Sequence, residues 1–68
     1  MPTDQIETLH EAREKLVEDR RTLATSLAGP YMREIGDSDR DRFIRVQRAI
    51  NAVDAAIEDE KKIAAGSV

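Results

Sequence analysis

The stretch Phe43-Ile44-Arg45-Val46-Gln47-Arg48-Ala49-Ile50-Asn51-Ala52-Val53-Asp54-Ala55-Ala56-Ile57 decides the fold. Read as a heptad abcdefg with Phe43 at a, it places Ile50 and Ile57 at the following a positions and Val46 and Val53 at d; Glu60 (d) and Ala64 (a) continue the register. Apolar residues spaced alternately three and four apart line one face of a helix, and a seven-residue repeat of them is a coiled-coil seam. Such a stripe has to be covered by another helix.

The residues upstream supply that helix. Ile6, Leu9, Leu16, Val17, Leu23, Ala24 and Leu27 recur at helical spacing, with Leu9, Leu16 and Leu23 at d and with Ile6, Arg13, Arg20 and Leu27 at a. Thr3 or Asp4 suits the N-cap, and Asp4 with Glu7 has capping-box spacing. Gly29-Pro30 ends the pattern, because Gly suits a C′ position and Pro cannot continue the hydrogen-bond ladder. Asp37-Ser38-Asp39, following Gly36, reads as the next start. These signals predict one domain with a first helix over 4–28, a loop over 29–38, a second helix over 39–64 and a frayed tail over 65–68.

Two helices of similar length joined by a short link form an antiparallel hairpin. The register follows from the numbering. Leu23 with Phe43, Leu16 with Ile50 and Leu9 with Ile57 all straddle the same midpoint, residue 33, so every d-to-a layer closes at once. Arg20 then faces Val46, Arg13 faces Val53, and Ala12 and Ala56 meet at flanking g positions where small side chains allow close approach. The expected fold class is all-α, an antiparallel two-helix hairpin of the coiled-coil type. Its seam is Leu9, Leu16, Leu23, Phe43, Val46, Ile50, Val53 and Ile57.

Two residues break that seam. Arg13 and Arg20 occupy a positions, where a long stem covers apolar surface while the charged head reaches water or an acid such as Asp54 or Asp19. A polar seam residue fixes register and orientation at some cost in stability. A second irregularity is the surplus of small and apolar residues around the later helix, from Ala49 to Ile57, with Ile44 also off the seam. A helix apolar on several sides is buried on several sides, so the hairpin is expected to pair with a second copy as a homodimeric four-helix bundle.

Composition points the same way. A chain of 68 residues with one Phe, one Tyr and no Trp has little core of its own, and without Cys it has neither disulfides nor thiolate zinc sites to staple it. Fourteen acids against eleven bases give a formal charge of −3, so no general field draws the chain to nucleic acid or anionic membrane. Apolar runs stop at three residues, too short for a span or a signal segment, and the expected location is the cytoplasm.

The chemistry-bearing motifs are few. Glu7-Thr8-Leu9-His10 has the Glu-x-x-His spacing of di-iron bundles, but Glu7 at b and His10 at e lie off the seam, so no metal is expected. With no Cys, a lone His and no Gly-rich phosphate cradle, neither an enzyme nor a cofactor is expected. Arg33, Arg40, Arg42, Arg45 and Arg48 form the one basic concentration, and Asp37, Asp39 and Asp41 interleave with it, Asp41 and Arg45 at i, i+4. The expected function is therefore a non-enzymatic protein–protein interaction module: an adaptor, chaperone or accessory protein that self-associates and presents Ile44, Arg45 and Arg48 to a client helix. Tyr31, Met32 and Ile35 either extend that surface or close the end of the core. The alternative is a hairpin dimer that binds RNA through the arginines, by analogy of architecture alone.

Overall fold

The structure is a computed structural model that describes residues 2–30 and 33–66, with side chains described over 5–30 and 37–66. Two helices, α1 (Pro2–Ala28) and α2 (Arg33–Gly66), pack against each other as a hairpin measuring 54 × 14 × 13 Å. The all-helical hairpin expected from the heptads is thus the observed fold.

The helix ends differ from the sequence signals in instructive ways. Pro2 opens α1, where its fixed φ and missing N–H cost nothing. At the other end the Gly29 N–H donates to the Ser26 carbonyl at 3.3 Å, tightening the last turn. No described residue has a left-handed φ, so Gly29 is not a left-handed cap. The stop belongs to Pro30, which lacks an N–H and disfavours helical geometry in the residue before it.

α2 starts at Arg33 rather than near Asp39, leaving only residues 29–32 between the helices. Gly36 and Asp37-Ser38-Asp39 therefore sit inside a helix. An interior Gly costs about 1 kcal/mol relative to Ala, and Ser and Asp favour caps without requiring them, so packing against α1 overrides both preferences. Asp39 is used across the hairpin instead, accepting a hydrogen bond from the Ser26 hydroxyl. Tyr31 and Met32, the Ile35 side chain and the Asp4 side chain lie outside the described residues, and with them the expected tip and the Asp4–Glu7 cap.

Three cross-hairpin bonds fix the register. The Arg13 Nε donates to Asp54 Oδ1 at 2.6 Å, the Arg20 Nη1 donates to Gln47 Oε1 at 3.0 Å, and Ser26 reaches Asp39 nearer the turn. The chain separations of these pairs are 41, 27 and 13 residues. Antiparallel helices produce such a step of two heptads when each advances about one heptad per rung. The midpoint of the ladder falls near residue 33, which sets Leu16 opposite Ile50 and Leu9 opposite Ile57.

The core is correspondingly thin. Ile50 and Ile57 are 1% and 4% exposed and are the buried apolar side chains among the described residues. Leu9, Leu16, Leu23, Phe43, Val46 and Val53 are half-buried, because a single partner helix covers one stripe and leaves its margins open. Ile50→Ala is expected to remove about 3 kcal/mol, a large part of the roughly 3–10 kcal/mol that a chain of this length holds. Urea titration followed by circular dichroism checks this; Ile44→Ala on the outside should change stability by less than about 0.5 kcal/mol. Gly29→Ala meets only carbonyl oxygens at 3.4 and 3.8 Å and should stabilise slightly, without lengthening α1 past Pro30.

Candidate partner-binding surface

The heptad register divides the hairpin surface into two edges, one on each side of the seam. On the edge formed by b and e positions, the polar groups of α2 pair within the chain, whereas Glu14 and Arg21 of α1 make no side-chain bond among the described residues. The Arg13–Asp54 ion pair and the Arg20–Gln47 bond lie here, Gln47 passes the chain on by donating from Nε2 to Asn51 Oδ1 at 3.1 Å, and Lys61 bridges to Glu58 at 3.4 Å. Hydrogen bonding to Asp54, and then its negative charge, raises the Arg13 guanidinium above the ordinary arginine value. Of the two acids expected for Arg13, the structure selects Asp54. Asp19 sits six residues further along the same helix, on the other edge.

That other edge, formed by c and g positions, is built differently. Ala12, Ala49 and Ala56 lie half-buried along it and Ala52 stands exposed between them. Ile63 follows toward the open end of the hairpin, 59% exposed. Toward the turn the same edge opens into a groove of about 490 Å³. Leu23 and Val46 form its floor, Asp19 and Thr22 its α1 wall, and Arg42 and Arg45 its α2 wall. The Thr22 hydroxyl is already engaged, donating to the Glu18 carbonyl at 3.2 Å. Arg42, Arg45 and Asp59 make no ion pair among the described residues, and the expected Asp41–Arg45 pair is not formed.

The residues singled out from the sequence fan across this surface. Ile44, 50% exposed, falls at b beside the polar edge; Arg48 at f points outward between the edges; Arg45 at c belongs to the groove. They are neighbours on the loop-side half of α2 and do not form one patch with the alanines. Arg42, expected within the basic cluster, shares its g position with Asp19 and Ile63, and that shared position is the signal that places all three on this edge. Glu7 and His10 are both exposed, and among the described residues no three His, Cys, Asp or Glu side chains group as metal ligands. Among those residues, too, no helix is long and apolar enough to cross a membrane.

Charge is unevenly distributed along the rod. The open half, residues 1–18 and 54–68, carries nine acids and four bases, whereas the turn half, residues 19–53, carries five acids and seven bases. The molecule is therefore negative at one end and mildly positive at the other. No protein-family model, curated protein or solved structure matches the chain. The class defined by fold and surface is a two-helix hairpin with one edge crossed by hydrogen-bonded rungs and one edge lined by alanines on α2.

The Arg13–Asp54 pair is about half exposed on both sides, at 41% and 46%, so its contribution should be modest and open to screening. Asp54→Ala is expected to lower the melting temperature at low ionic strength, and 1 M salt, with a Debye length of about 3 Å, should remove much of that difference. Thermal melts of both proteins at the two salt concentrations make the measurement.

Proposed function

We propose that the chain is a non-enzymatic protein–protein interaction module that works as a self-associating helical hairpin, two copies forming a four-helix bundle. The observation that carries this reading is surface area. The hairpin exposes 5427 Å². A compact monomer of 7.6 kDa exposes about 4,300 Å² by the usual mass scaling. The excess of about 1,100 Å² exceeds the roughly 800 Å² that each partner contributes to a standard interface. Much of the excess is the price of being two helices wide, and a second hairpin is the cheapest cover because it brings the same small-residue edge. Half-buried Leu23, Val46 and Phe43 would lose more solvent in such a bundle, so dimerisation would also supply the core that Ile50 and Ile57 begin.

The module's wider task is binding a client helix, with Ile44 and Arg48 on the outer face of α2 free to meet it once the alanine edge is occupied. The RNA-binding alternative draws on Arg42, Arg45 and Arg48, exposed at the end of the rod where bases outnumber acids. The acids between them weaken that field, which favours protein binding.

Light scattering coupled to size-exclusion chromatography tests the core of the proposal. A mass of about twice 7.6 kDa at micromolar concentration is expected; a mass of 7.6 kDa would overturn self-association. In gel shifts with short RNA hairpins, no salt-sensitive binding is expected at 150 mM salt. Tight binding lost steeply with salt and abolished by Arg45→Ala with Arg48→Ala would replace the protein-binding reading with the RNA one.

A further inference from the structure

The small-residue edge has a palindromic layout along α2. Arg42 and Ile63, Arg45 and Asp59, and Ala49 and Ala56 each straddle a midpoint at or just beyond Ala52. We infer that a second copy docks on this edge with its α2 antiparallel to the first, the two-fold axis passing beside Ala52. The inference rests on the self-association proposed above and specifies which surface performs it and in which direction.

Each part of the layout finds a complement. At the axis, Ala52 meets Ala52 of the second copy, flanked by Ala49 against Ala56, so two backbones approach without side chains between them. About seven residues out, roughly 10 Å at 1.5 Å per residue, Arg45 of one copy comes beside Asp59 of the other. Neither side chain makes an ion pair in its own chain among the described residues. A further turn out, Ile63 of the second copy arrives at the groove floored by Leu23 and Val46 and walled by Arg42 and Arg45. The most exposed large apolar side chain among the described residues therefore meets an apolar-floored groove, and does so twice, once at each end. The arrangement also lays the acidic open half of each hairpin along the basic turn half of its mate. A parallel arrangement would set Asp59 against Asp59, Arg45 against Arg45, and leave both grooves unfilled.

The native chain has no Cys, which makes disulfide trapping specific. Ala52→Cys should give a cross-linked dimer rapidly under mild oxidation, since the axis brings the two Cα atoms within disulfide reach, whereas Glu14→Cys on the polar edge should not. Arg45→Glu and Asp59→Arg should each weaken dimerisation about tenfold, and the double variant should recover most of the loss, because each interface then regains both opposite-charge pairs. Helical circular dichroism at high protein concentration shows that these exposed substitutions leave the hairpin folded. A wild-type mass of a dimer, with Glu14→Cys trapping as fast as Ala52→Cys or with no recovery in the double variant, would overturn this docking face and leave self-association standing. A monomeric wild type would overturn both.

Discussion

Arginine in a coiled-coil seam is a steric and electrostatic constraint before it is an interaction. At Arg13 and Arg20 the helix axis forces the side chain to start between the helices, where the charged head cannot stay without a partner. Each stem must leave toward one side, and the acceptors the two heads meet are Asp54 and Gln47, both on the same side. The arginines therefore decide which edge of the hairpin is polar. Everything else about the surface follows from that choice, because the remaining edge needs no hydrogen-bond acceptors and can be built from alanine.

The same constraint explains why the fold is specified more sharply than it is stabilised. The Arg13–Asp54 pair is half exposed and solvent screens it, so its strength is modest. Its geometry is demanding all the same. Sliding one helix by a residue would carry Asp54 away from Arg13 and Gln47 away from Arg20 together, and would also pull Leu16 off Ile50. The apolar layers contribute the energy, concentrated at Ile50 and Ile57. The polar rungs exclude the neighbouring registers that an all-leucine seam would tolerate.

Much of this was legible in the sequence because a seven-residue repeat is geometric. Once Phe43, Ile50 and Ile57 define a, the shared midpoint of three d-to-a layers fixes the antiparallel register without further information, and the structure keeps it. The start of α2 was not legible for the opposite reason. Asp37-Ser38-Asp39 after Gly36 is a statistical preference worth about 1 kcal/mol, and it loses to tertiary packing that a local window cannot see. Asp39, read as part of a cap, turns out to accept from Ser26 on the other helix. The surface reading failed in a third way. Ile44 and the alanines all lie off the seam, but b falls to one side of it and c and g to the other. Ile63 and Arg42 share an edge with those alanines, and the register carries that placement, although Ile63 belongs to no recognisable motif and Arg42 reads first as part of the basic cluster.

An edge whose polar groups bond to one another offers a partner little except desolvation costs. On the b and e edge, Arg13, Arg20, Gln47, Asn51, Asp54, Glu58 and Lys61 all have partners within the chain. Burying that edge would strip water from satisfied charges and return few new bonds. On the c and g edge the balance would be reversed in the proposed dimer. Alanines lose little side-chain entropy on burial, Ile63 would gain by leaving water, and Arg45 and Asp59 would acquire an ion pair with the second copy. Association is therefore directed less by how apolar a surface is than by how completely its polar groups are already bonded. In a hairpin whose seam arginines bond across one edge, the other edge would gain more from contact.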